Sequence, residues 1–342
     1  MNSYLRHSLL TSSSVQKNYA HRLPAACDLS LVSGPCIWEK EINNALLGCD
    51  TGYFSSYPLP SQDKELIEQL ADWEGVPSDG IWLTPGADAA IEFVLGRVLD
   101  PGDTCGILIP NFPRFTIVAQ SLPGVKISYF NDISEMPTDL TIAVICTPNN
   151  PSTKEIPESQ IRSHIMKNPK VLFVIDGVFD WTASYNLSTL CYDYPNLIVL
   201  KSFSKIGLAG LRLGYIITNR DNCRDMQTAL SPFFVPPMVQ KIGKAIVEHL
   251  ERIEEFKQLL DDRFHKVQQR LGDRVERYSS VPFYLLKTEC TSSEAVEQLF
   301  QKGISVVDGI FFQGLAKNTV RVSIGTPDQN EQLFRMLAEL GI

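Results

Sequence analysis

Residues 197–205 have the sequence LIVLKSFSK, in which an apolar run leads into a short turn that ends at Lys205. Four consecutive aliphatic side chains predict a strand that is covered on both faces. A second run of this kind, VLFVI at 171–175, is followed directly by Asp176. The sequence therefore predicts two buried strands, one ending near an amine and the other at a carboxylate.

Other short apolar runs occur through the middle of the chain, at 107–109, 127–130, 142–146 and 215–217. Helical patterns, such as that of residues 158–166, lie between them. This alternation predicts an α/β fold with a mainly parallel sheet. Open sheets of this class bind ligands beyond the carboxyl ends of their strands. Asn150 follows the run at 142–146, so we expect it at that edge of the sheet together with Lys205 and Asp176.

The pattern changes near residue 237. Apolar residues then recur at helical spacing, which predicts one long helix over about 238–271. Shorter strand-like segments and a closing helical pattern follow, at 284–286, 304–307, 320–324 and 329–340. We therefore predict a large α/β domain at 45–236 and a small α+β domain formed by 1–44 and 237–342, with the long helix connecting the two.

Composition narrows the class of protein. The 342 residues are 44% hydrophobic and 20% charged, which is ordinary for a globular protein. The net charge of −8, without a basic tract, disfavours nucleic acid as a partner. No apolar run reaches the ~18 residues of a membrane span, so no membrane association is predicted. Residues 1–20 are polar and lack the apolar stretch of a secretory signal.

The eight cysteines include no CxxC pair, so a zinc site has no support and no metal is predicted. Several of them lie in apolar, strand-like segments, where a reduced and buried thiol is the expected state. Reduced thiols favour a cytoplasmic location.

Lys205 is the candidate catalytic nucleophile, because an unprotonated lysine forms a Schiff base with an aldehyde. Asp176 would keep a pyridine nitrogen protonated, so that the ring can accept electrons from the substrate. The pair suggests pyridoxal 5′-phosphate (PLP) as the cofactor. A lone lysine after a strand is usually a surface residue, and a lone aspartate before a glycine is often a turn residue. The prediction therefore depends on their combination.

A phosphate site is indicated by the segment TPGAD at 84–88, which precedes a helical pattern. A glycine turn at the start of a helix presents backbone N–H groups and the positive end of the helix dipole to an anion. Ser202 and Ser204 would donate hydroxyl groups to the same phosphate, and Arg212 would neutralise it. Each signal is weak alone, since many helices begin with Pro-Gly and many strand-end arginines are exposed.

Taken in order, these motifs resemble those of the fold-type I PLP-dependent aminotransferases of class I/II, most closely the histidinol-phosphate aminotransferase group. The resemblance runs from about Leu29 to the C-terminus. It depends on segments at 57–60, 86–88, 147–151, 176, 202–205, 208–215 and 321–326. It implies a large domain of three layers, αβα, around a mainly parallel sheet, and a small α+β domain.

The resemblance also implies roles for the matching residues. Lys205 would form the internal aldimine, Asp176 would pair with the pyridine nitrogen, and Asn150 would donate to the ring's phenolate oxygen. Phe112 would stack on the ring. The groups that hold the phosphate would be the turn at Gly86, the backbone amides of Ala87 and Asp88, and the side chains of Ser202, Ser204 and Arg212.

Two further residues would contact the neighbouring subunit or the substrate. Tyr57 would reach the phosphate of the neighbouring subunit, which implies a homodimer with composite sites. Arg321 would bind the substrate's α-carboxylate in a bidentate pair, with Asn150 beside it. For Arg321 the alternative is a surface arginine that interacts across strands. The donor would be an amino acid or an amino-alcohol phosphate, and the acceptor a 2-oxo acid.

Four departures from the family pattern stand out. Phe179 takes the place of a tyrosine, so the phenolate oxygen would lose one donor. Arg212 follows Lys205 after 212 − 205 = 7 positions, one fewer than usual. Residues 152–154 are Ser-Thr-Lys instead of beginning with Thr-Gly, and residues 29–35 replace an asparagine-rich segment.

The leading interpretation is a PLP-dependent aminotransferase. The alternative is a PLP-dependent decarboxylase of the threonine-phosphate decarboxylase type, since that group resembles this chain too and can also carry phenylalanine after the aspartate. A PLP-sensing regulator is a third possibility, although such proteins normally carry a basic DNA-binding module for which this acidic chain has no room ahead of residue 29.

Overall fold

The computed structural model of the chain describes residues 25–58, 60–227 and 233–342, so the polar stretch 1–20 lies outside the described residues. The strands are β1 (Cys27–Asp28), β2 (Ile81–Thr84), β3 (Thr104–Leu108), β4 (Lys126–Phe130), β5 (Ile142–Cys146), β6 (Leu172–Asp176), β7 (Leu197–Ser202), β8 (Gly214–Ile217), β9 (Val275–Glu276), β10 (Phe283–Lys287), β11 (Ile304–Ser305), β12 (Val307–Asp308) and β13 (Thr319–Ser323). The α-helices are α1 (Glu39–Leu47), α2 (Gly52–Ser55), α3 (Pro60–Glu74), α4 (Ala87–Val98), α5 (Pro113–Ser121), α6 (Glu158–Lys167), α7 (Leu190–Asp193), α8 (Arg220–Gln227), α9 (Pro237–Val247), α10 (Ile253–Leu271), α11 (Ser292–Gln301) and α12 (Pro327–Leu340). None of these helices within the described ranges combines the length and the apolar character needed to cross a membrane.

Within the described ranges, seven strands form the large sheet, in the order β2-β8-β7-β6-β5-β3-β4. The neighbouring pairs from β7 to β4 are parallel, whereas β8 runs antiparallel to both β2 and β7. The sheet is therefore mainly parallel, as the sequence predicts.

Residues of the large sheet alternate between two apolar cores, one on each face. In β6, Phe173 and Ile175 belong to a core that also contains residues of α3, α6 and α9. Val174, between them, belongs to the other core together with residues of α4 and α5. Strands covered on both faces are apolar throughout because neither face meets water. The predicted fold class, a three-layer α/β architecture with a second, smaller sheet, is confirmed.

The smaller sheet is antiparallel, in the order β12-β13-β10-β9, and β1 pairs in parallel with β11. Helix α10 packs against β9, α11 packs against β11, β12 and β13, and both helices pack against α12. Residues 304–307, predicted as one strand, divide at Val306 into β11 and β12, because the two halves pair with different partners. The boundaries of the two domains, 45–236 against 1–44 with 237–342, stay a prediction.

The prediction of a single helix over about 238–271 is wrong. Helices α9 and α10 are separated by a 3₁₀ turn, Leu250–Arg252, and His249 before it has φ −132° and ψ 27°. Helix α9 packs against α1 and α3, whereas α10 packs against β9 and α12. The two apolar faces contact different parts of the structure, so the chain bends between them although no glycine or proline lies at the bend, residues 248–253.

The site is positioned by the edge at which the parallel strands end. The carboxyl ends of β2, β3, β5, β6 and β7 meet there because these strands share one direction. Strand β8 brings its amino end to the same edge, since Gly214 pairs with Thr84 on one side and with Ser202 on the other. Residues that follow the parallel strands, or precede β8, therefore converge.

Candidate active site

Lys205 lies in the 3₁₀ turn Phe203–Ile206, which follows β7 at the edge described above. Its Nζ donates a hydrogen bond to the carbonyl of Val32 at 2.9 Å and lies 5.7 Å from the centre of the Phe179 ring. Burial, with the charge of Arg321, lowers the pKa of Lys205 to about 8. A sizeable fraction of this amine is therefore neutral and nucleophilic near neutral pH.

Asp176 is the last residue of β6, and only 2% of it is exposed. It accepts a hydrogen bond from the backbone N–H of Val178 at 3.3 Å, and the thiol of Cys146, its register partner on β5, also hydrogen-bonds to it. Burial raises the pKa of Asp176 to about 6, against the opposing effects of Val178 and Lys205. A buried carboxyl with weak donors would bind a cationic partner favourably.

Asn150 and Arg321 meet although they belong to different sheets. Arg321 Nη1 donates to Asn150 Oδ1 at 2.9 Å, and Nη2 donates to the carbonyl of Ser30 at 2.9 Å. The guanidinium carbon lies 5.6 Å from the ring centre of Phe283 and 5.3 Å from that of Phe312. Packing between two aromatic rings fixes the plane of the guanidinium, as bidentate binding of a carboxylate requires.

The glycine turn before α4 has the close approach expected of a phosphate cradle. Gly86 has φ +83°, and a Cβ built on it would lie 2.8 Å from Arg212 Nη2. Only glycine allows this approach. Ser202 and Ser204, whose hydroxyl oxygens are 3.0 Å apart, lie at the end of β7 beside this turn. Arg212 itself has a positive φ of 51°, in the shortened loop before β8.

Ala87 and Asp88 form the first turn of α4, which has no side-chain cap. The Asp88 carboxylate is bound by Arg114 Nε at 2.6 Å, so its backbone amide is the group that remains for a ligand. Phe112 directly precedes α5, is half-buried, and donates its N–H to Asn111 Oδ1 at 2.7 Å. Its ring-stacking role stays a prediction.

Tyr57 lies on the surface of the chain. It is 74% exposed, and its ring centre is 4.8 Å from that of Phe233. A tyrosine that serves the neighbouring subunit would be placed on the surface in this way, and that role stays a prediction.

Phe179 is buried with 1% exposure, and its ring meets that of Phe283 edge-on at 5.3 Å between centres. Val32, Val178 and Val281 complete the apolar cluster around it. Sequence reasoning missed the contact of Val32 with Lys205 and the contacts of Phe283 and Phe312 with Arg321. No local signal marks them, because they come from segments far away in the chain.

A buried cluster of charges behind the loop after β6 was also missed. Lys201 Nζ lies 3.1 Å from Glu74 Oε2 and contacts the carboxylate of Asp180. Tyr215 donates its hydroxyl to Glu74 at 2.5 Å. A lysine inside the apolar strand β7 is a signal for such partners, since a buried charge is stable only when it is paired.

This cluster holds two carboxylates against one ammonium group. Burial raises the pKa of Asp180 to about 7, with the repulsion of Glu74 and against the attraction of Lys201. The cluster also ties the loop after β6 to β7, where Trp181 Nε1 donates to the carbonyl of Ser202 at 3.0 Å. These contacts thus connect the segment that follows Asp176 to the strand that leads to Lys205.

The residues fit pyridoxal phosphate. The cradle that a Cβ on Gly86 would fill, with Arg212 and the two serines beside it, suits a phosphate group. The buried Asp176 carboxyl suits a pyridinium nitrogen, and the Lys205 amine, whose pKa is lowered to about 8, suits an aldehyde. The donors and charges therefore match the three polar parts of this cofactor.

Comparison with known proteins supports the same cofactor. The model of the family described as aminotransferase class I and II matches residues 34–337. The chain is 30% identical to a histidinol-phosphate aminotransferase of Methanosarcina mazei, over 81% of this chain and 78% of that protein. It is 28% identical to the enzyme of the same name from Methanococcus maripaludis, over 90% of this chain and 86% of that protein.

Solved structures share the fold. A histidinol-phosphate aminotransferase from Sinorhizobium meliloti, in complex with pyridoxal-5′-phosphate, superposes with a TM-score of 0.83 at 17% identity, covering 99% of this chain and 98% of that one. An L-threonine-O-3-phosphate decarboxylase from Porphyromonas gingivalis gives 0.77 at 22% identity, covering 92% and 98%. At these identities the two structures establish the fold alone.

Proposed function

The chain belongs to the class I and II aminotransferases, whose members use PLP to transfer amino groups, and on that premise we propose that its donor carries one anionic group that Arg321 binds. The predicted enzyme class, cofactor and resemblance are confirmed by the family match and by the histidinol-phosphate aminotransferase relatives. The family match and the relatives do not identify the substrates, the site residues or the assembly of this chain, and these are proposed here.

The observation that carries the proposal is the contact of Arg321 with Asn150. It brings a fixed guanidinium to the edge where Lys205 and Asp176 lie. A carboxylate or phosphate on the donor would replace the carbonyl and amide oxygens that Arg321 now contacts, since charged pairs are stronger than neutral ones. Suitable donors are an α-amino acid and, from the named relatives, histidinol phosphate, with a 2-oxo acid as acceptor.

When bound, PLP supplies the electron sink that stabilises negative charge on the donor's α-carbon. Lys205 Nζ would hold the cofactor covalently through its aldehyde group and, as a free amine, would take the donor's α-proton as a general base. Once protonated, the same Nζ would serve as the general acid. The lowered pKa of Lys205, about 8, suits an amine that both takes up and releases a proton.

Other residues would hold the cofactor. Asp176 would bind the pyridine nitrogen, and Asn150 the phenolate oxygen. Because Phe179 takes the place of a tyrosine, the phenolate oxygen would have one hydrogen-bond donor fewer. The phosphate would be held by the first turn of α4 at Gly86, Ala87 and Asp88, and by Ser202, Ser204 and Arg212.

A homodimer with Tyr57 reaching the partner's phosphate completes the proposed site. Large apolar side chains stay exposed on and near α1 and α2, namely Leu47 at 86%, Tyr57 at 74%, Phe54 at 70%, Phe233 at 47% and Leu46 at 40%. Exposed apolar groups of this size usually mark an interface. Mixing inactive Tyr57→Ala and Lys205→Ala proteins should restore activity at about a quarter of the sites, because hybrid dimers carry one intact site. A mixture that stays inactive would contradict the composite site.

A half-reaction tests the function. Cofactor-loaded protein is mixed with histidinol phosphate, phenylalanine or glutamate in turn, without an acceptor. Formation of pyridoxamine phosphate with a keto product is the expected result. Release of carbon dioxide without pyridoxamine phosphate would instead identify a decarboxylase.

We also propose a cytoplasmic location. All eight cysteines, which lie within the described ranges, are free thiols, and five of them are buried. Such thiols suit a reducing compartment. Fractionation of the source cells would test this proposal.

A further inference from the structure

Thr153, three residues after Asn150, has a strained backbone. Its φ is +61°, and its side chain is fully buried. Glycine adopts this left-handed conformation without cost, whereas a residue branched at Cβ is strongly disfavoured there. A strained residue persists only where its surroundings stabilise it, and such residues concentrate at functional sites. The contacts of the threonine side chain are therefore of interest.

Thr153 binds the connection between β9 and β10. Its Oγ1 accepts a hydrogen bond from the backbone N–H of Tyr278 at 2.8 Å, and its carbonyl accepts one from Ser279 Oγ at 2.6 Å. Glycine at this position would keep the second contact and lose the first. We call these two hydrogen bonds the Thr153 clasp.

On one side the Thr153 clasp is continuous with the loop that carries Asn150. The N–H of Thr153 donates to the carbonyl of Asn149 at 2.8 Å, and the N–H of Asn149 donates to the carbonyl of Lys154 at 2.8 Å. Asn149 Nδ2 also donates to the carbonyl of Pro110 at 2.9 Å. Residues 149–154 therefore form a loop that is closed by its own hydrogen bonds.

On the other side the clasp is continuous with the strand that carries Arg321. The carbonyl of Pro282 accepts a hydrogen bond from the N–H of Ile324, just after β13, at 3.0 Å. Strand β10, which begins at Phe283, pairs along its length with β13. The clasp and the contact between Asn150 and Arg321 thus join the same two parts of the molecule at two points.

We propose that Thr153 is a positioning residue whose clasp keeps Asn150 and Arg321 in register while Arg321 exchanges Asn150 for the anionic group of a substrate. The proposal rests on the proposed function, in which Arg321 binds that group. Without the clasp, the connection at 277–282 would separate from the loop at 149–154 whenever the substrate takes over the guanidinium. The affinity for substrate would then fall more than the affinity for PLP, because Asn150 would give the cofactor one hydrogen bond, whereas Lys205, Asp176 and the phosphate cradle lie outside the clasp.

The test compares Thr153→Val, which keeps the branched shape and removes the hydroxyl, with Thr153→Ser, which keeps the hydroxyl. The first readout is hydrogen exchange at the Tyr278 amide in protein without any ligand. We expect exchange about tenfold faster in Thr153→Val, because its amide loses its acceptor, and wild-type exchange in Thr153→Ser. The second readout is the dissociation constant of 2-oxoglutarate for the cofactor-loaded protein, measured by titration calorimetry. It should rise about tenfold in Thr153→Val alone.

Unchanged exchange at Tyr278 in Thr153→Val would overturn the clasp, and faster exchange with unchanged 2-oxoglutarate affinity would overturn the positioning role. Equal losses in both variants would also overturn it, because the serine keeps the hydroxyl. If Thr153→Val does not fold, Thr153→Ala, which also removes the hydroxyl that accepts from the Tyr278 amide, takes its place in both measurements. The exchange readout needs no substrate, so it separates a failure of the clasp from a failure of the proposed function.

Discussion

Arg321 Nη1 lies 2.9 Å from Asn150 Oδ1, a side-chain contact between residues 171 positions apart in the chain. It joins β13 of the smaller sheet to the loop after β5 of the larger one. The contact places a cation beside the residues predicted to hold the cofactor.

Arg321→Lys should weaken substrate binding more than it affects the cofactor. Lysine cannot make the two parallel contacts of a guanidinium, and it would lose the aromatic packing against Phe283 and Phe312. We expect kcat/KM for the donor to fall about 10- to 100-fold, mostly through KM, with PLP affinity nearly unchanged. Steady-state kinetics would measure this, and Arg335→Lys, on the exposed face of α12, is the matched control. An equal loss in the control would refute the specific role.

Capture of PLP by the protein without cofactor should speed up as pH rises and level off above about 8. The reacting form of Lys205 is the neutral amine, and burial with the charge of Arg321 brings the pKa of Lys205 to about 8. Arg321→Gln removes one of these causes, so the midpoint of the pH–rate profile should move upward. Arg212→Gln should move it less, because Arg212 has a smaller influence on that pKa. Stopped-flow absorbance would follow capture, and identical midpoints in all three proteins would contradict the assignment.

Phe179→Tyr should restore a donor to the cofactor's phenolate oxygen. In the wild-type protein that oxygen lacks the donor, so the pKa read from the visible absorption of the cofactor-loaded protein should be raised. The substitution should lower it by about one unit, the equivalent of one hydrogen bond. A pH titration of the visible band in both proteins measures the difference. Two superimposable titration curves would show that Phe179 has no such effect.

The protein without cofactor should lose stability as pH rises from about 4 to 7. Burial raises the folded-state pKa of Asp180 to about 7, so between these values the native state holds a proton that the unfolded state has released. Stability present at low pH is therefore lost as Asp180 ionises, by about 1–4 kcal/mol. Urea unfolding at several pH values would measure this. In Asp180→Asn the decline should be smaller, and the part that remains belongs to Asp176, because burial raises the pKa of that carboxyl to about 6. A decline of unchanged size in Asp180→Asn would contradict a contribution from Asp180.

The sequence predicted the parts of the site that depend on strand ends. Asp176, Ser202 and Asn150 follow apolar runs, and parallel strands bring their carboxyl ends together whatever the details of packing. The strained backbone at Thr153 and the carbonyl of Val32 beside Lys205 could not be predicted, because they arise from contacts between distant segments.

The bend between α9 and α10 shows the same limit for the fold. The helical periodicity continues through His249, so local preference predicts one helix. The bend is decided by packing, since α9 contacts helices of the large sheet and α10 contacts the smaller sheet. Lys201 is the opposite case, because a charge inside an apolar run is a local signal for buried partners, Glu74 and Asp180 in the structure, and sequence reasoning did not use it.

The position of the cofactor's covalent attachment tests the central claim most directly. Cofactor-loaded protein is reduced with borohydride, digested, and mapped by mass spectrometry. We predict a phosphopyridoxyl label on the peptide that contains Lys205, none on Lys201, and no label in Lys205→Ala. A label on another lysine, or wild-type protein that stays colourless and unlabelled with excess PLP, would contradict the account.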